Sequence, residues 1–309
     1  MRIVELFQEA GIPPGVLNLI IGSGSEAGDA IINHPAVKAI SFTGSNQVGI
    51  RLYEEASRRG AKVQCEMGGK NPVVIMEDAD MDLAVESTAQ GAFGSSGQRC
   101  TATSRAVVVS EIADEFVERI AKRAASMRIG AGNDPATEMG PTVDESQFKT
   151  VLHYIDVGRE DGATLVCGGA RAVGHGLDKG YFVQPTVFDH VTPDMRIARE
   201  EIFGPVLSVL RVKDFDEALQ MANDCEYGLS SSIFTNDAVR VFRFVDEIET
   251  GMTHINSPTT GGEAHIPFGG IKGTGIGDRE QGSTALDFYT DLKVVYVDYT
   301  GRKREGNLY

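Results

Sequence analysis

The sequence has no apolar run long enough to cross a bilayer. Its first residues, Met1-Arg2-Ile3-Val4-Glu5-Leu6, lack the apolar core of a signal peptide. Positive charge is scarce: 29 Lys and Arg stand against 44 Asp and Glu, a net charge of −15. Such a field repels phosphate backbones and anionic lipid surfaces, so no nucleic-acid partner and no membrane partner is expected. Its plainest reading is solubility. Cysteines are few and far apart: Cys65, Cys100, Cys167 and Cys225 form no CxxC pair. The six histidines are scattered, with no HExxH and no His/Cys cluster, so no metal is expected. A cytoplasmic enzyme with reduced thiols is the expectation these absences leave.

What is present is the balance of a folded protein. Of 309 residues, 41% are apolar and 24% charged, with room for one large domain or two ordinary ones. The opening reads as alternating α and β. Ile3, Val4, Phe7 and Ala10 share one helical face, and Gly11 and Pro13-Pro14 stop that helix. Residues 16–21 are a short apolar run, read as a buried strand. Strands at 37–42 and 62–65 flank a helix at 46–59. This βαβαβ order implies a parallel, doubly wound sheet, which the opening helix is expected to cover. A second α/β unit follows, with strands at 72–76, 106–109, 206–210, 231–234 and 252–255. Helices are expected at 81–93, 112–127, 145–160, 215–223 and 237–248. Residues 294–299, rich in Val and Tyr, read as an edge strand able to pair with another subunit.

Two residues carry chemistry. Cys100 lies in Gly97-Gln98-Arg99-Cys100-Thr101-Ala102, whose small and polar flanks leave the thiol open to a substrate. Arg99 beside it would favour the reactive thiolate. The plain alternative is a small buried apolar residue, which also describes Cys65, Cys167 and Cys225. Glu66 lies in Cys65-Glu66-Met67-Gly68-Gly69-Lys70, at a strand end before a Gly-Gly turn. Burial there would raise its pKa and suit it to act as a base near neutral pH. The alternative is a surface carboxylate paired with Lys70.

Together the two segments resemble the two signatures of the aldehyde dehydrogenase superfamily, NAD(P)-dependent and non-acylating. That family places a Glu before a Gly-Gly-Lys turn and Gly-Gln-x-Cys a helix and a strand later; here the separation is 34 residues. Three further segments match in order: Phe42-Thr43-Gly44-Ser45, Glu200-Glu201-Ile202-Phe203-Gly204-Pro205 and Pro267-Phe268-Gly269-Gly270-Ile271-Lys272. The resemblance runs from Met1 to about Tyr299. One departure is Cys65, where the family usually has an aliphatic residue.

The resemblance implies an α/β fold: an incomplete Rossmann-like cofactor domain, then an α/β catalytic domain and a C-terminal oligomerisation strand. The corresponding bounds are 1–67 for a partial NAD(P)-binding domain, 68–272 for the catalytic domain, and 273–309 for a C-terminal helix and oligomerisation strand. It makes Cys100 the nucleophile and Glu66 the base that activates water, with the Cys100 N–H donating to the oxyanion. Gly44 and Ser45, at a helix N-terminus, would face the pyrophosphate of NAD or NADP. Gly24 and Gly28 would lie beside the adenine half, with Met67 and Gly68 also on the cofactor side. Glu201 would hold the nicotinamide ribose, and Phe203 would support the ring. Phe268, Thr101 and Glu263 would border the aldehyde, with His265 near them. A homo-oligomer, dimer or tetramer, is implied.

The residues Gly-Gln-Arg-Cys-Thr-Ala and the tail ending Val-Tyr-Val-Asp-Tyr are similar to members acting on aminoadipate or oxoglutarate semialdehyde. An acylating relative is disfavoured by Glu66, since a hydrolytic base would destroy the thioester. The family's roughly first third has no counterpart here, including its oxyanion Asn and its adenosine-ribose residues. A second expectation of a different class follows: a catalytically impaired remnant acting at most as a subunit-pairing or weak cofactor-binding module.

Overall fold

The computed structural model describes residues 1–299 and 301. The chain runs through α1 (Arg2–Glu9), a π-helical turn (Gly24–Gly28), α2 (Asp29–Asn33), β1 (Ala39–Thr43), α3 (Asn46–Ser57) and β2 (Lys62–Glu66). Next come β3 (Asn71–Ile75), α4 (Met81–Phe93), β4 (Thr103–Val109), α5 (Ser110–Ser126), α6 (Glu145–Glu160), β5 (Thr164–Cys167) and β6 (Thr186–Asp189). Then follow α7 (Arg196–Arg199), β7 (Val206–Val212), α8 (Phe215–Asn223), β8 (Tyr227–Gly228), β9 (Ser230–Phe234), α9 (Ala238–Glu247) and β10 (Met252–Ile255). β11 (Ile271–Lys272), β12 (Gly275–Ile276) and α10 (Gly282–Tyr289) complete it.

Seven strands form the main sheet in the order β10-β9-β3-β4-β7-β6-β5. All its pairs are parallel except β5–β6. Side chains alternate across a strand, so a sheet covered on both faces needs apolar residues at successive positions. β3 meets that need. Val73 and Ile75 pack with α4 and α5 on one face, while Val74 and Met76 pack with α8 and α9 on the other. Aspartates start the covering helices: Asp80, Asp144, Asp214 and Asp237 each accept an amide of the first turn.

A smaller sheet holds β1, β2 and β12. β1 and β2 run parallel, whereas β12 joins β2 antiparallel and sets Gly275 opposite Glu66. Between the two sheets the chain has only Met67-Gly68-Gly69-Lys70. This connection puts the carboxyl ends of β1 and β2 against the amino ends of β3 and β4.

Three expectations at the termini of the described chain are corrected. Residues 16–21 form no strand, and Val16, Ile20 and Ile21 are exposed, because no neighbouring strand lies beside them to complete a ladder. α1 forms, yet none of its residues is buried, so it covers no sheet. Residues 294–299 are likewise not a strand within the single chain; their side chains are exposed, Tyr296 at 94%. An extended segment becomes a strand only beside a partner edge, and none of the strand pairings among the described residues includes these positions. The opening βαβαβ order reduces to β1-α3-β2.

One buried cation ties the sheet to its surroundings. Arg105 on β4 donates to the carbonyls of Lys70 (3.0 Å), Met221 (3.1 Å) and Ala222 (2.9 Å). Arg105→Ala leaves three buried carbonyls without donors, at ~1–3 kcal/mol for each such group. A loss of at least about 3 kcal/mol in urea unfolding is expected, and a loss below about 1 kcal/mol would refute this anchoring role.

Candidate active site

Cys100 sits half-buried on the loop entering β4. The preceding turn is tightly bent: Ser95 and Ser96 adopt left-handed φ of 52° and 58°. Gly97 is also left-handed, at φ 65°, and a methyl there would run into the Gly204 carbonyl. Ser96 Oγ donates to the Gly140 carbonyl at 2.8 Å, and Gln98 Oε1 accepts the Val143 N–H at 2.9 Å. The loop is therefore fixed from both sides before the cysteine is reached.

A cleft of about 590 Å³ opens at Cys100. One wall is Thr43, Gly44 and Ser45, where α3 begins; Ser45 caps α3 without a side-chain bond. A second wall is Met67, Gly68 and Glu201, and a third is Phe203 and Gln147. Thr101 and Arg99 line it beside the cysteine. The open helix N-terminus suits an anion.

Glu201 is held by the connection between the sheets. Its Oε1 accepts the Gly69 N–H at 3.0 Å, and its other oxygen lies where a side chain at Gly68 would be. Burial raises its carboxyl, opposed by the Gly69 bond and Lys70. Phe203 has a left-handed backbone, φ 56°, which costs a bulky residue about 1–3 kcal/mol. Gln147 holds it there, donating from Nε2 to the carbonyls of Ile202 and Phe203, both at 2.9 Å.

The thiol of Cys100 is pushed up by burial, and the charges of Glu201 and Glu66 add to this. The amides of Thr101 and Cys100 oppose it. Arg99 is exposed, and the thiolate is favoured by backbone N–H groups rather than by its guanidinium. That corrects the expectation drawn from the neighbouring charge.

Glu66 is only 4% exposed and accepts the Gly270 N–H at 3.1 Å. Burial pushes its carboxyl up to about 7. It is not a surface carboxylate paired with Lys70. Lys70 is itself 2% exposed, its Nζ has no hydrogen-bond partner, and burial beside Arg105 lowers it to about 7. Nor does Glu66 line the cleft: Cys100 does, and Glu66 turns to the glycine segment behind it.

The structure thus gathers Cys100, Thr101, Gly44, Ser45, Met67, Gly68, Glu201 and Phe203 around one cleft. Other expected contacts are not brought there. Gly24 and Gly28 belong to the π-helical turn capped by Ser23, away from the cleft lining. Phe268 is half-buried, its backbone paired with Glu280, and does not line the cleft. Glu263 is exposed, 3.3 Å from His265, on a loop that stays outside. Gln147 escaped sequence reading because Asp144-x-x-Gln147 looks like a capping box. Asp144 does cap, yet the glutamine turns to the Phe203 carbonyl instead.

Comparison with known proteins agrees with this geometry. The family model described as the aldehyde dehydrogenase family matches residues 1–295. The chain is 49% identical to alpha-ketoglutarate semialdehyde dehydrogenase of Haloferax volcanii over 97% of its own length and 62% of that protein's. It is 46% identical to alpha-ketoglutaric semialdehyde dehydrogenase of Bacillus subtilis, over 96% of this chain and 61% of that one. The crystal structure of Staphylococcus aureus betaine aldehyde dehydrogenase in complex with NAD+ superposes with a TM-score of 0.90 at 38% identity, covering 93% of this chain and 57% of that one. The chain spans about three fifths of the length of the curated relatives it matches. A matched family model over nearly the whole chain, with the same fold, establishes that this chain belongs to the aldehyde dehydrogenase family.

Proposed function

We propose that the protein oxidises an aldehyde to a carboxylic acid with NAD+ or NADP+, using Cys100 as nucleophile and Glu66 as base. The observation that carries this is the shared cleft: Cys100 faces the N-terminus of α3, with Glu201 and Phe203 on the same walls. These residues fit a dinucleotide. The first amides of α3 would hold its pyrophosphate, Glu201 would accept from the ribose hydroxyls, and Phe203 would support the ring. A nicotinamide bound there supplies the hydride acceptor.

Cys100 adds as thiolate to the aldehyde carbon, and its own N–H donates to the oxygen that becomes negative. Loss of hydride leaves an acyl thioester on the sulfur. Glu66 takes a proton from water, the water oxygen adds to the thioester carbon, and the Cys100 thiolate departs. To meet that water the Glu66 carboxylate leaves Gly270.

The same reading extends to coarser matters. The small sheet of β1 and β2 and the larger sheet after them support residues 1–67 as a partial cofactor domain and 68–272 as the catalytic domain, with 273–309 as a C-terminal helix and oligomerisation strand. The exposed Val and Tyr of 294–299 support a homo-oligomer. No helix of the described residues is long and apolar enough to cross a membrane, which accords with a cytoplasmic enzyme. The relatives' enzymatic names favour this over a non-catalytic pairing module.

Three outcomes are expected. Cys100→Ser should lower aldehyde-dependent formation of reduced cofactor by on the order of 10³-fold or more. Turnover that survives the change would sink the mechanism. Glu66→Gln should still give one burst of reduced cofactor and an acylated Cys100 peptide by mass, while steady turnover falls ~10²–10⁴-fold. A base acts as carboxylate, so wild-type turnover should climb as pH passes about 7. A profile flat there removes Glu66 from the rate. For substrate we propose a semialdehyde with a distal carboxylate, as the names of the two relatives above support. Alpha-ketoglutarate semialdehyde should then show a higher kcat/KM than betaine aldehyde, and the reverse order would discard this preference.

A further inference from the structure

The loop carrying Cys100 hangs from the sheet by its own carbonyls. Cys100 O and Ala102 O both accept from the Asn71 side-chain amide, each at 2.8 Å. Between them, Thr101 O accepts from the Thr259 hydroxyl at 2.8 Å. Three successive carbonyls therefore end on two buried side chains. Asn71 is locked in turn, because its Oδ1 accepts the Ser230 N–H of β9 at 3.0 Å. Gly69 leaves the room this requires: a methyl there would stand 2.6 Å from Cys100 O.

The peptide group is planar, so the Cys100 carbonyl and the Thr101 N–H turn together. The Thr101 N–H favours the thiolate and opposes the burial that raises the Cys100 thiol. A hydrogen bond accepted at a carbonyl also polarises its peptide and strengthens the N–H on the other side. We propose that Asn71 is a positioning residue for the nucleophile: by gripping the Cys100 carbonyl it aims and polarises the Thr101 N–H toward the sulfur. This rests on Cys100 as the nucleophile. Asn71 does not line the cleft and acts through the Cys100–Thr101 peptide, whose carbonyl it holds.

The test follows alkylation of Cys100 by iodoacetamide against pH in the full 309-residue chain, with the Cys100 peptide read by mass. Wild type, Asn71→Ala and Asn71→Ser are compared after each shows a cooperative melt. Loss of the grip should raise the inflection of the Asn71→Ala profile by about half to one pH unit and slow alkylation near neutral pH ~3–10-fold. Asn71→Ser keeps one hydroxyl donor and should fall between. A folded Asn71→Ala with the wild-type profile overturns the proposal. Should Asn71→Ala not fold, Asn71→Ser decides: a raised inflection supports the role and an unchanged one overturns it. Alkylation needs neither aldehyde nor cofactor, so the two readings fail separately. An unchanged Asn71 profile overturns positioning alone, while turnover surviving Cys100→Ser overturns the mechanism and with it the nucleophile's part in this role, whatever the alkylation profile shows.

Discussion

The close approach of two backbones and a carboxylate at Gly69 is the constraint on which the site depends. The Gly69 N–H binds Glu201, and the Cys100 carbonyl occupies the space a side chain at Gly69 would need. The residue before it, Gly68, yields the same kind of space to the Glu201 carboxylate. No residue with a Cβ allows the inter-sheet connection, the Cys100 loop and the Glu201 carboxylate to meet this closely. The Gly-Gly pair is thus the hub of the cleft rather than a flexible joint.

Around that hub lie acids whose charged forms burial disfavours. Burial lifts the Cys100 thiol, Glu201 and Glu66 alike, and the charged carboxylates further oppose a thiolate. The backbone amides of Thr101 and Cys100 favour charge at the sulfur. Such a site is poised rather than active: a cation or a polarised carbonyl brought into it strengthens every charged form at once.

Much of this was legible in the sequence where local rules decide. Helices at 81–93, 145–160 and 215–223 and the strand at 252–255 carry the bounds that caps and periodicity indicate. The residues around the cleft were legible through ordered motifs. What failed did so for want of a partner. Residues 16–21 and 294–299 have the composition of strands, but composition does not supply a neighbouring edge. Short strands β8, β11 and β12, each of two residues, are set by tertiary contact and leave no periodic trace. Asn71 and Thr259 were invisible as a pair because their shared targets lie on a loop remote in sequence from both.

The bond between Glu66 and Gly270 joins residues 204 positions apart. On a growing chain Glu66 and Cys100 emerge before Gly270 and β12. The carboxylate's resting partner and the third strand of its sheet are thus both late arrivals. Until then the Cys100 loop can fold on β3 and β4, but β2, which carries Glu66, has one exposed edge. Assembly of this corner is therefore a late folding event, and closing so long a loop is slow. A chain interrupted before Gly270 would carry the Glu66 carboxyl without its hydrogen-bond partner.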